Sequence, residues 1–122
     1  MAYRDETRPG KPVVGMLLGI TKVTDADLVE FAKLQTVTRL WINNTDVTDA
    51  SMKVVTSFKV LTELVLDQTE ITDAGLKELA SLSNLTRLDL NFTKITDAGL
   101  KELASLQRLE TLSLVRTVVT DA

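Results

Sequence analysis

The sequence predicts an α/β repeat protein: stacked units of 24 residues, each supplying one short strand and one helix. Three observations carry this. Residues 72–95 slide forward by one period onto residues 96–119, and back onto 48–71 and 24–47 in pattern. Residues 71–82 and 95–106 are identical. Within each unit the apolar spacing switches from strand-like alternation to helical spacing. A fixed period of this length decides the architecture before any local reading does.

The first twelve residues, MAYRDETRPGKP, are polar and aperiodic, with two prolines. They read as a flexible lead-in or linker. Residues 13–20, VVGMLLGI, have the length of a signal-peptide core, but Asp5 and Glu6 precede them where a basic segment belongs, and no small-residue cleavage site follows. Register gives the better reading. Val13, Met16, Leu18, Thr21 and Val23 align with Leu85, Leu88, Leu90, Thr93 and Ile95 three periods later. Residues 13–23 are therefore a half-repeat. No run reaches the ~20 apolar residues of a membrane-spanning helix, so a cytoplasmic location without membrane contact is expected.

The unit at 72–95 shows the design. Residues 87–91 alternate, with Leu88 and Leu90 on one face. Each Thr-Asp pair then marks a helix start, with a capping hydroxyl and a carboxylate at the positive end of the helix dipole. Leu76, Leu79 and Ala80 share the inner helix face, and Leu82 closes the turn. Leu28, Phe31, Ala32 and Leu34 take these places in the first full repeat; Met52, Val55, Thr56 and Phe58 take them in the second. The domain thus comprises the half-repeat, full repeats at 24–47, 48–71, 72–95 and 96–119, and the start of another at 120–122. One unit buries too little apolar surface to offset the entropy of ordering its chain, so the units must stack.

The pattern LxxLxLxxT, at Leu85, Leu88, Leu90 and Thr93, followed by a helix, resembles the leucine-rich repeat. Its continuation, I/V-T-D-A-G-L-K-E-L-A, is similar to short bacterial, planctomycete-like repeats; F-box substrate receptors and ribonuclease inhibitor carry longer units. The resemblance covers residues 13–122. It implies a right-handed solenoid with a parallel sheet on the concave face, helices on the convex face, and a protein-binding role. Thr21, Thr45, Thr69, Thr93 and Thr117 stand where many members carry asparagine or cysteine, so a stacked hydroxyl ladder is expected. No F-box, kinase or other effector segment accompanies the repeats.

Under that implied fold, three outward columns form the candidate binding face: Gly15, Arg39, Glu63, Arg87, Thr111; Leu17, Trp41, Val65, Asp89, Ser113; and Gly19, Asn43, Asp67, Asn91, Val115, with Phe92 just beyond. The candidate partner residues are Leu17, Arg39, Trp41, Asn43, Glu63, Val65, Asp67, Arg87, Asp89, Asn91 and Phe92. Arg39, Glu63 and Arg87 should pair across the sheet as a solvated charge ladder. Trp41, flanked by Leu17 and Val65, reads as a partner anchor; the alternative is that a terminal segment folds over it.

Chemistry is poorly represented. The chain has no cysteine and no histidine, which removes thiolate chemistry and the commonest general base and metal ligand. Asp25, Asp49, Asp73, Asp97 and Asp121 form a carboxylate spine that could suggest Ca²⁺, but each is explained by its own helix start. Asp67, Asp89, Asn43 and Asn91 could line a small oxygen site, with Arg39 and Arg87 near enough to neutralise it. Gly75 and Gly99 lack the strand and lysine of a phosphate loop. A net charge of −3 gives no basic face for nucleic acid. The expectation is a non-catalytic module without cofactor or metal, binding a protein or peptide. The alternative is a structural segment that self-associates through Leu109, Leu112, Leu114 and Val119 at the last plate.

Overall fold

In the computed structural model, residues 2–4, 7 and 13–119 are described. The predicted start of a further repeat at 120–122 lies outside them, as does most of the lead-in. The elements run β1 (Ala2–Arg4), β2 (Val13–Leu17), α1 (Asp25–Phe31), β3 (Arg39–Trp41), a 3₁₀ turn (Asp49–Ser51) leading into α2 (Met52–Val55), β4 (Glu63–Val65), α3 (Asp73–Leu79), β5 (Arg87–Asp89), α4 (Asp97–Leu100) with a 3₁₀ extension (Lys101–Ser105), and β6 (Thr111–Ser113).

The sheet follows chain order, and β2 to β6 are parallel with every pairing displaced by one period. Gly15, Arg39, Glu63, Arg87 and Thr111 are partners in one row; Leu17, Trp41, Val65, Asp89 and Ser113 form another. These are the columns read from the sequence. Between them the inward row of Met16, Leu40, Leu64 and Leu88 is buried. Opposite it lie the helix-face residues Leu28, Met52, Leu76, Val55, Leu79 and Leu103, with Phe58, Leu82 and Leu106 below. Each unit therefore completes the core of its neighbours, as stacking requires.

The lead-in contributes more than a flexible arm. Its residues Ala2–Arg4 pair antiparallel with β2, setting Tyr3 against Gly15, and so occupy the outer edge of the first parallel strand. An open strand edge is a template for pairing, and here the chain fills it with its own segment.

Identical sequence does not give identical helices. Residues 73–79 are α-helical throughout, whereas the same residues one repeat later tighten to 3₁₀ after Leu100. Since local propensity is the same, the neighbours decide: α3 packs between α2 and α4, and the later copy has a helix on one side only among the described residues.

Asp25, Asp49, Asp73 and Asp97 stand in the first turn of their own helices, as expected; the first three also bond to the following repeat, which the sequence reading did not include, and Asp121 lies outside the described residues. Asp25 accepts from the Thr48 N–H at 2.9 Å, from the Thr48 hydroxyl at 2.7 Å, and from the Ser51 hydroxyl. Asp49 accepts from the Thr72 N–H at 2.8 Å and its hydroxyl at 2.5 Å. Asp73 does the same for Thr96, at 2.8 and 2.5 Å. The threonines in turn cap their own helices through Ala50, Ala74 and Ala98. The first full repeat supplies its own acceptor: Asp27 takes the N–H and hydroxyl of Thr24 in a capping box. Asp27 occupies the position held later by Ser51, Gly75 and Gly99. A Cβ added at Gly75 or Gly99 would fall on Oδ1 of Asp49 or Asp73, so glycine there makes room for the carboxylate.

Thr45, Thr69 and Thr93 are buried. All five threonines of their row donate to the carbonyl three residues back, at 2.5 Å for Thr21, 2.8 Å for Thr45, 2.7 Å for Thr69, 2.6 Å for Thr93 and 3.0 Å for Thr117. The hydroxyls serve their own turns rather than one another. A second threonine row does link repeats: Thr38, Thr62 and Thr86 each donate to the carbonyl 24 residues earlier.

Candidate partner-binding face

The outward side of the parallel sheet displays the candidate residues, but not as an even surface. Arg39 and Phe92 are exposed, and Leu17, Trp41, Asn43, Glu63, Asp67, Arg87 and Asn91 are half-buried. Val65 and Asp89 are only 6% exposed each. The physical cause is Arg87. Its guanidinium donates to Asp89 at 2.7 Å and lies 5.4 Å from the centroid of the Trp41 ring. Trp41 and Arg87 stand on strands two apart, roughly 10 Å at ~4.8 Å per strand. The arginine therefore reaches across β4, where Val65 sits. Val65 is thus not the exposed flank of Trp41 that alternation along the strand implies.

The charge ladder also differs from expectation. Among the described residues no ion pair joins Glu63 to Arg39 or Arg87 within 4 Å; Arg87 bonds within its own strand. A pair two residues apart on one strand face is within reach of a long guanidinium, and the cation gains the aromatic ring as well. The hydrogen bond that Arg87 donates to Asp89 raises the pKa of Arg87 above its ordinary value, against the effect of partial burial, with Glu63 and Asp67 adding at longer range.

The oxygen-rich corner is likewise committed. Asp67 accepts from the Asn91 N–H at 2.8 Å and from its amide at 3.2 Å. Asn91 Oδ1 accepts from the Ser113 hydroxyl and the Val115 N–H, both at 2.7 Å. These side chains clamp successive turns together, and among the described residues no group of three carboxylates gathers to hold a metal ion. Phe92 stands apart from the strand columns. It is 49% exposed at the corner after β5, where the backbone turns with φ of 57°.

The most sculpted part of the face is its first-strand end. A depression of about 260 Å³ is lined by Tyr3, Gly15, Leu17, Arg39 and Trp41. Sequence reasoning found Trp41, Leu17 and Arg39 by alternation but missed Tyr3, because nothing in the polar lead-in signals a strand. Of the lead-in's described residues, Tyr3 walls one side of the depression, and Trp41 is half-buried. The Trp41 Nε1 atom is itself buried without a hydrogen-bond partner.

At the other end of the sheet, Leu109, Leu114 and Val119 pack partly buried against the core, and Leu112 is 39% exposed. On the underlying helix face Leu103 and Leu106 are buried.

No helix among the described residues is long and apolar enough to cross a membrane. The leucine-rich repeat family matches residues 59–80 and 81–104. No curated protein matches the chain. Among solved structures, internalin C2 of Listeria monocytogenes strain 4b F2365 is similar with a TM-score of 0.69 and 29% identity, over 81% of this chain and 40% of that one. Internalin F of the same strain is similar with a TM-score of 0.58 and 24% identity, over 81% of this chain and 34% of that one; at that identity the likeness shows the fold alone. The chain spans about two-fifths of the first structure and about one-third of the second.

Proposed function

This chain is a leucine-rich repeat protein, and from that premise we propose that it is a non-catalytic module whose concave sheet binds a protein or peptide. The observation carrying this reading is Trp41, the single tryptophan of the sequence, held half-open on the sheet face beside Leu17 and Arg39 in a depression. Tryptophan and arginine are enriched among the residues that carry binding energy at interfaces, and here they stand together at one depression. Its Nε1 lacks a partner, so it is not held in place by a hydrogen bond. Neither a cofactor nor a metal enters the reading, and nucleic acid is disfavoured by the net charge of −3.

Selection from a random peptide display library on the immobilised protein tests the reading. A recurrent consensus is expected, with binding lost in Trp41→Ala while the circular dichroism spectrum is unchanged. No consensus, or one that Trp41→Ala still binds, sinks the reading. Unfolding of the variant would mark Trp41 as a packing residue and sink it as well.

A second reading, self-association, is favoured by the exposure of Leu112, the end member of a row whose other members are buried.

A further inference from the structure

The depression lies where the outward row has a glycine. Gly15 is the member of its row without a side chain, where Arg39, Glu63, Arg87 and Thr111 follow on the next strands. Tyr3, brought opposite Gly15 by β1, forms a wall: a Cβ at Gly15 would lie 3.3 Å from Tyr3 Cβ. Leu17 and Trp41 supply the remaining apolar lining. At about 260 Å³ the space falls below the ~300–1,000 Å³ of sites for cofactors and drug-sized ligands. It suits a single apolar side chain.

Among the described residues that line the depression, the charged one is Arg39. Arg39 lines the depression and is exposed, with no ion-pair partner within 4 Å among the described residues. Glu63, beside it on β4, neither bridges to it nor lines the space. Arg87 is committed to Asp89 and the outer tryptophan ring. Arg39 and Trp41 are two residues apart on one strand, ~6.6 Å at 3.3 Å per residue, which is the spacing of side chains i and i+2 in any extended peptide.

Resting on the reading of this face as a protein-binding surface, we propose that the depression is the specificity subsite for an extended acidic peptide. One apolar side chain of that peptide seats against Leu17, Tyr3 and Trp41. An Asp or Glu two residues away pairs with Arg39. The cation supplies charge-assisted hydrogen bonds in a fork geometry that a carboxylate matches, and the pocket supplies apolar contact.

The single tryptophan gives one indole N–H resonance, so the subsite can be watched directly in the ¹⁵N-labelled chain. The probes are acetyl-Gly-Leu-Gly-Glu-Gly amide and its counterparts with Gln or Lys in place of Glu. The Glu peptide is expected to shift the indole resonance and to bind about tenfold tighter than the Gln peptide, the Lys peptide weakest. Arg39→Gln should erase the preference for Glu without moving the melting temperature, and Arg39→Lys should retain part of it. Equal binding of Glu and Gln peptides overturns the proposal, as does preference for Lys, a Glu preference that survives Arg39→Gln, or no indole shift with any probe. A Trp41-dependent consensus from the display selection that lacks an acidic residue would overturn this subsite while leaving the binding-module reading intact.

Discussion

Asp49 holds the helix start of the repeat after its own: its carboxylate takes the N–H of Thr72 at 2.8 Å and the hydroxyl of Thr72 at 2.5 Å. The stack is thereby joined by charged hydrogen bonds on its outer side as well as by leucines within. Removing the acceptor leaves a half-buried N–H and hydroxyl unpaired. Hydrogen bonds to charged groups are worth ~1.5–3 kcal/mol each, and partial solvent access favours the lower end. Asp49→Ala is therefore expected to lower stability by about 2–3 kcal/mol, seen as a lower urea midpoint with unchanged slope. Asp73→Ala should match it. A loss below ~0.5 kcal/mol, the usual surface value, would show that the bonds add nothing net. Because these oxygens already face donors, Ca²⁺ at millimolar levels should leave the melting temperature where it is; a concentration-dependent rise would mean a bound ion.

Asp25 ties this ladder to pH. Burial pushes its carboxyl pKa up, but the Ser51 hydroxyl and the N–H and hydroxyl of Thr48 outweigh that and hold it below the ordinary 3.8. The unfolded chain thus binds the proton more readily than the folded one. The resulting stabilisation is fully present above the unfolded pKa and is lost as pH falls through the lower folded value. Urea midpoints measured from neutral pH down past 3.8 should fall less steeply in Asp25→Asn than in the native chain. Parallel curves would remove Asp25 from the acid response.

The corner after each strand offers a test in the opposite direction. Ile20, Asn44, Gln68, Phe92 and Arg116 all turn through positive φ, between 52° and 58°. Asparagine tolerates that region, whereas a β-branched side chain is strained in it. Ile20 is 78% exposed, so little packing is lost with it. Ile20→Asn is expected to raise stability by about 1 kcal/mol and the melting temperature by several degrees. A lower melting temperature would mean that Ile20 contributes packing that outweighs the backbone strain.

The sequence made the stack legible because its signals are periodic. Columns such as Arg39, Glu63 and Arg87 follow from the 24-residue register alone, and the structure keeps that register without a slip. What stayed hidden depends on reach. Alternation says that Arg87 and Glu63 are neighbours, but not that the longer guanidinium finds Asp89 and Trp41 instead. Likewise, Thr-Asp reads as a local cap, and only the closeness of successive turns turns Asp49 toward Thr72. Tyr3 had no signal at all: three polar-flanked residues become a strand because β2 offers them an edge. Most of the depression was thus foreseeable from Trp41, Leu17 and Arg39, and its far wall was not.

The last prediction concerns the two ends of the sheet, which are not equivalent. At one end β1 runs antiparallel along β2 and covers its edge. At the other, β6 pairs with β5 and no further described strand adjoins it. Leu112 there is exposed, whereas Met16, Leu40, Leu64 and Leu88 of its row are buried. The apolar surface extends beyond the strand: Val115 and Val118 are exposed at positions that earlier repeats fill with Gly19, Asn43, Asp67, Asn91 and with Lys22, Asp46, Glu70, Lys94. The sequence alone suggests end-to-end dimers or larger species, but the first edge belongs to β1, an exposed antiparallel strand of three residues, too short to template a further repeat. Pairing of β6 with β6 of a second copy remains. Antiparallel alignment about Ser113 would set Leu112 opposite Leu114 of the other copy, a contact made twice, as a two-fold interface requires. The 122-residue chain is therefore expected to sediment as a monomer–dimer equilibrium that stops at two. Leu112→Lys, or a polar capping repeat appended after Ala122, should restore the monomer, and the capping repeat should also raise stability. A chain that stays monomeric at high micromolar concentration rules out association through this edge, and a ladder of larger species would show that β1 does not close the other.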